Sequence, residues 1–255
     1  MYEFLKYLSF LWRSKNEHAV HSPFVYKLIT EGVKTRIPPE LKQLLPKHYK
    51  YLIGQQLKIK VEDFGAGSRV FKSEERGVDQ IAKVAGMSQK TQELMASVTA
   101  YFKPKNMLEL GTSLGKGTVA MHIGHPEGNI TTVERCPNTL AEAVKGFKRF
   151  NFDNITPVNA LFTDFLNDDD QSWDLVYLDG GHTKDFTLFT FKQLLPKLHN
   201  DSLLILDDIY WSAAMTEAWQ QIKAHPEVTV TIDSFHWGWV FFRKEQPKQH
   251  FVLRL

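Results

Sequence analysis

A single cysteine, Cys136, is all the chain holds, so no internal disulfide can form. That fits a reducing compartment. Long apolar runs are missing too: no stretch approaches the roughly 18 residues that span a bilayer. The N-terminal segment Met1–Trp12 is aromatic and apolar, but it carries Glu3 and Lys6. It has neither a basic leading region nor a small-residue cleavage site, which excludes a secretory signal peptide. A soluble, cytoplasmic protein is expected, with no membrane partner. Internal repeats and low-complexity tracts are absent as well, which excludes solenoids and disordered tails.

The net charge is only +2 over 255 residues, yet it is uneven. Residues 1–60 hold 11 Lys and Arg against 4 Asp and Glu, and the remainder is acidic. A basic front end could meet nucleic acid or an acidic surface, or it could be a solvated helical face. Apolar residues make up 43 % of the chain, enough for a sizeable core.

Residues 1–58 read as helical pieces broken near Ser22-Pro23 and at Pro38-Pro39. Residues 59–75 read as an irregular connection. A helix then runs from Ser88 to Pro104, with Leu94, Val98 and Tyr101 on one face. Beyond it the chain alternates. Short apolar strands at 106–110, 129–134, 155–159, 173–179 and 202–207 are separated by helical or loop segments. Alternation of this kind predicts a parallel sheet covered by helices. Two last strands, 228–234 and 237–243, are joined too tightly for a crossover and must be antiparallel. The expectation is an α/β, Rossmann-like, mostly parallel sheet of seven strands with an antiparallel terminal hairpin, behind an N-terminal helical extension.

In open α/β sheets ligands sit at the carboxyl ends of the strands. The first such end is Glu109-Leu-Gly-Thr-Ser-Leu-Gly115. Gly111 and Gly115 enclose three residues where a Walker A loop needs four, and Lys116 is followed by Gly117. Position 113 is serine, so a G-x-G-x-x-G dinucleotide fingerprint fails too. What remains is E-x-G-x-x-x-G. The second strand ends in Glu134, a carboxylate able to accept hydrogen bonds from both hydroxyls of a ribose. The fourth strand ends in Asp179-Gly-Gly-His182 and the fifth in Asp207-Asp208. Carboxylates brought close together repel unless protons or a cation neutralise them, and a hard divalent ion would do so.

On these motifs residues 86–243 resemble the class I S-adenosylmethionine (SAM)-dependent methyltransferases, and within them the catechol O-methyltransferase-like group with its bacterial small-molecule relatives. The resemblance implies cofactor contact at Glu109, Gly111, Thr112, Ser113, Gly115, Glu134 and Asp179. It implies the same for Met87 and Ser88, at the place of the group's cofactor-contacting loop, and for Ala160, where the adenine is lined. It implies metal ligation, by Mg2+ or another divalent cation, at Asp179, Asp207 and Asp208. The group's catalytic base is a lysine three residues after the first metal aspartate. Here that place holds His182, with Lys184 two further on, so both stand as candidates.

The expected activity is metal-assisted O-methylation of a small molecule. An RNA methyltransferase using the basic front end, and a non-catalytic SAM-binding protein, are the alternatives. Residues 1–75 are expected to form a cap or dimerisation element, with the methyltransferase domain over 76–255 and a homodimer among the partners. An upstream stretch, Val61-Glu-Asp-Phe-Gly-Ala-Gly-Ser68, mimics the first motif but lacks a following strand with a terminal acid, and reads as a loop. His18 and His21 are expected to be buried, hydrogen-bonded structural residues. Tyr210-Trp211 is expected to wall an acceptor pocket, and Trp237 and Trp239 to pack.

Overall fold

The computed structural model describes residues 1–62 and 71–255. Most of the loop 61–68 singled out above lies outside the described residues. In chain order the first elements are helices α1 (Tyr2–Arg13), α2 (Pro23–Lys27), α3 (Pro39–Lys42) and α4 (Leu44–Ile53). Strands β1 (Lys58–Lys60) and β2 (Glu75–Gly77) follow, then α5 (Val78–Val84) and α6 (Gln89–Phe102). Next come β3 (Asn106–Leu110), α7 (Lys116–Gly124), β4 (Asn129–Glu134), α8 (Pro137–Arg149), β5 (Ile155–Asn159) and α9 (Phe162–Asp168). The last are β6 (Trp173–Leu178), α10 (Lys184–Leu194), β7 (Leu198–Leu206), α11 (Ala213–Ala224), β8 (Val230–Asp233), β9 (Gly238–Phe241) and β10 (Gln249–Val252). Strand, helix and parallel strand in succession make a Rossmann-like α/β architecture.

The chain forms two compact units, one of Met1–Thr30 with Leu166–Leu255 and the other of Glu31–Phe165. In the second, β3, β4 and β5 lie side by side and parallel. Their register sets Glu109 beside Thr132 and Glu134 beside Asn159. Met107, Leu108 and Leu110 are sealed from solvent, as expected for a strand covered on both faces. Pro137 opens α8, where its missing N–H costs nothing. Leu140, Ala143 and Phe147 share that helix's buried face. Residues 59–75 are not wholly irregular. Their two ends belong to an antiparallel ribbon in which Ile59 faces Arg76, a pairing too short to leave a period-two signal.

In the other unit the order is β10-β8-β9-β7-β6. β6 and β7 run parallel, and β9 runs antiparallel to both β7 and β8. The expected terminal hairpin is therefore present. β10, which lies parallel to β8, adds an eighth strand to the seven expected. Its Gln-His-Phe-Val sequence carries no turn signal that would mark it. Trp173, Trp219, Trp237 and Trp239 are all sealed inside this unit. The two hairpin tryptophans pack, as expected. Gly238 is required there: a Cβ would stand 2.8 Å from the Trp219 ring. Helix α1 joins this unit through Phe10 and Tyr7, which pack on Phe235. No helix among the described residues is long and apolar enough to cross a membrane.

One core residue is costly. His48 of α4 is fully buried, and neither ring nitrogen has a hydrogen-bond partner among the described residues. Gly146 of α8 makes room for it, since a Cβ there would come within 3.0 Å of Nε2. Burial, and then the Lys116 charge, push its pKa from 6.5 down to about 4. The folded value is the lower one, so the unfolded chain binds more protons between the two. Stability present above pH 6.5 is therefore lost as pH falls toward 4, by about 3 kcal/mol in all. The expected result is a urea midpoint that drops between pH 7 and pH 4.5, and a shallower drop in His48→Leu.

Candidate active site

The turn after β3 is shaped by left-handed backbone. Gly111 has φ +114°, Ser113 +47° and Gly115 +78°. Gly115 has a second reason to be glycine, because a Cβ would meet the Phe147 ring at 2.5 Å. Beneath the turn lies Glu109, 1 % exposed. Thr118 donates to its Oε2, and Thr132 donates to the same atom at 2.5 Å. Thr112 in turn donates to the Thr132 hydroxyl, at 2.5 Å. Glu109 thus acts from below as the anchor of β3, β4 and α7. Thr132 had no distinct sequence signal, since Thr131 stands beside it in the same strand.

Glu134 stands at the end of β4, half-buried. Its Oε2 accepts from the Ser113 N–H at 2.8 Å and its Oε1 from the Cys136 N–H at 2.8 Å. A carboxylate has about four lone-pair sites, so vicinal hydroxyls are donors of the kind it can receive. The turn that carries it is pinned by Asn159, whose side-chain amide donates to the carbonyls of Glu134 and Arg135, both at 2.8 Å. Sequence reasoning gave Asn159 no such task. The Ala160 N–H also donates to the Glu134 carbonyl, at 3.3 Å. Met87 is buried, and Ser88 caps α6 by accepting from the Thr91 N–H at 3.2 Å.

The other compact unit holds the acidic cluster. Asp179 follows β6, and its Oδ2 accepts from the Tyr177 hydroxyl at 3.2 Å. His182 Nε2 lies 3.7 Å from Asp179 Oδ1, and its ring faces Trp211 with centroids 5.5 Å apart. Gly181, His182 and Asp208 all have positive φ. For the last two, which are not glycine, that backbone carries strain of the kind that clusters at functional turns. The Asp207 pKa lies well above the usual carboxylate range, because burial and then the charges of Asp179 and Asp208 disfavour its anion. Asp208 is also raised, by burial first, with His182 opposing.

Residues 108–209 match the sequence profile of a family described as a methyltransferase domain. Over that stretch the chain is similar to methyltransferase domains. Solved structures share its fold. An SAH-bound methyltransferase of Podospora anserina superposes with a TM-score of 0.62 at 14 % identity, over 88 % of this chain and 97 % of that one. An O-methyltransferase from Bacillus cereus in complex with SAH gives 0.52 at 18 %, over 62 % and 81 %. The O-methyltransferase TomG from Streptomyces achromogenes, in complex with SAM, gives 0.54 at 14 %, over 62 % and 82 %.

In this chain the glycine turn and the carboxylate of Glu134 are of a chemistry that suits a ribose-bearing cofactor. The metal set fits less well. Three carboxylates are suitable donors for a hard cation. Yet among the described residues no three His, Cys, Asp or Glu side chains are gathered as one ligand set. Lys184 is drawn to Glu217 of α11. Tyr210 is buried, donates to Asp233 and accepts from Arg13 at 3.3 Å, so of the expected pair only Trp211 stands beside His182. Burial and the Asp233 charge raise the Tyr210 pKa. His18 and His21 are exposed, not buried as expected, because the three-residue turn before Ser22 leaves both on the surface.

Glu134→Gln keeps the shape of the side chain and removes its charge. It is expected to weaken SAM binding about tenfold in calorimetry, since hydrogen bonds to an ionised acceptor are the stronger kind.

Proposed function

We propose that this methyltransferase methylates a hydroxyl oxygen of a small molecule, with His182 receiving the acceptor's proton. The observation that carries this reading is the His182–Asp179 pair beside Trp211. An imidazole within ion-pair distance of a carboxylate is stabilised once it becomes an imidazolium. An aromatic face next to it offers a wall for a planar or apolar acceptor. Two structures of the same fold are described as O-methyltransferases, which weighs toward oxygen.

When bound, SAM supplies an electrophilic methyl group on a sulfonium. Gly111, Gly115 and Glu134 would hold it, with Met87, Ser88, Thr112, Ser113 and Ala160 around it. As the new oxygen–methyl bond forms, the hydroxyl proton passes to His182, and Asp179 steadies the resulting charge. Burial, and then the charges of Asp179 and Asp208, raise the pKa of the neighbouring Asp207. No step is routed through a divalent cation, because the carboxylates are not gathered for one. The cytoplasm is the compartment that suits a chain with one cysteine.

Four measurements test this. His182→Ala is expected to lower kcat about 100-fold or more while leaving the KM for SAM unchanged, as loss of a general base does. Lys184→Met should keep near-full activity. Turnover in excess EDTA is expected to stay within about twofold of that with Mg2+, whereas loss in EDTA and recovery with Mg2+ would establish metal assistance. The screen uses catechols and other small hydroxyl acceptors alongside RNA; methylation of RNA alone would overturn the small-molecule reading.

A further inference from the structure

Lys116 is the first residue of α7, directly after the glycine turn, and it is buried. A buried lysine needs its donors satisfied. Its ammonium donates to the carbonyl of Ala82 at 3.1 Å and to that of Ala85 at 3.0 Å. Those carbonyls close the C-terminal end of α5, where a cation is favoured by the unpaired C=O groups. The next residue is Gly86, with φ +68°, and the Lys116 Cδ lies 3.8 Å from where its Cβ would be. From the other flank, Gln92 of α6 donates its side-chain amide to the Lys116 carbonyl at 2.8 Å, and that bond is buried. One residue therefore ties the glycine turn to both sides of the 85–88 segment.

We infer that Lys116 is a positioning residue for the cofactor: it fixes the Gly86-Met87-Ser88 loop against the glycine turn and so sets affinity for the amino-acid end of SAM. The inference rests on the proposed cofactor reading. Lys116 itself is turned to the α5 carbonyls. Its effect passes through the loop. The nucleoside end, assigned to Glu134 at the opposite side of the turn, does not depend on it. This gives Lys116 a signature that a general loss of stability would not produce.

The experiment measures binding of SAM and of 5′-methylthioadenosine, which lacks the amino-acid end, by calorimetry. Wild type, Lys116→Met and Gly86→Ala are compared. Gly86→Ala has space for its methyl group and disturbs only the backbone of the loop. Both variants are expected to lose about tenfold or more in SAM affinity while 5′-methylthioadenosine binds as in wild type. Lys116→Arg, which retains a charged donor, is expected to recover part of the loss. Equal weakening of both ligands, or unchanged SAM binding in Lys116→Met and Gly86→Ala, overturns the inference. If Lys116→Met does not fold, Gly86→Ala alone decides by the same ratio. Failure of wild type to bind either ligand would instead overturn the cofactor reading.

Discussion

A carboxylate buried without water is stable only where donors surround it, and in this chain that constraint organises the glycine turn. Glu109 receives two threonine hydroxyls at one oxygen, and a third threonine hydroxyl backs them. The three threonines come from the turn, from β4 and from α7. Each is held in place by the need to satisfy the same negative charge. A turn built over this network has little freedom to relax, so the left-handed geometry of Gly111, Ser113 and Gly115 is maintained. Glu134 then repeats the device at a smaller scale, binding two backbone N–H groups. One acid acts as foundation and the other, in the proposed reading, as receptor, although both sit toward strand ends of the same unit.

The acidic cluster of the other unit follows a different logic. There the carboxyl groups outnumber the donors aimed at them. Tyr177 serves Asp179 and also Asp207, and His182 opposes the charge of Asp208, but at Asp207 burial and the neighbouring charges outweigh that donor and raise its pKa. The strained turns at His182 and Asp208 keep those groups in place when a regular helix start would carry them elsewhere.

Much of this was legible from the order of residues. Strands β3, β4 and β5 lie at the expected positions: β3 is a short apolar run closed by turn residues, and β4 and β5 are short stretches rich in β-branched residues that follow helices in alternation. Glu109, Gly111 and Glu134 were recognised as a set from spacing, but spacing could not separate a buried anchor from a ligand contact. That distinction depends on where Thr118 and Thr132 point. The role of Lys116 was hidden for the same reason, since its partners are backbone carbonyls more than thirty residues away, which leave no mark on side-chain chemistry. β10 and the β1–β2 ribbon escaped because they are short and largely exposed or half-buried, whereas β8 and β9, equally short, are fully buried and apolar enough to show. His18 and His21 were misjudged because composition alone suggested burial where the local turn exposes them.

The division of the chain carries a consequence for synthesis. One unit is continuous, while the other joins Met1–Thr30 to Leu166–Leu255 and brings Lys15 beside Leu253. A ribosome therefore releases the partners of the continuous unit in succession, but it releases α1 long before Phe235, the ring on which Tyr7 and Phe10 come to rest. During that interval an aromatic segment waits without its core, closed into place only by the last strands to emerge. Non-local closure of this kind is slow and exposes apolar surface to self-association. The aromatic N-terminus, which contributes to a finished core, is on this account the part of the nascent chain most in need of shelter.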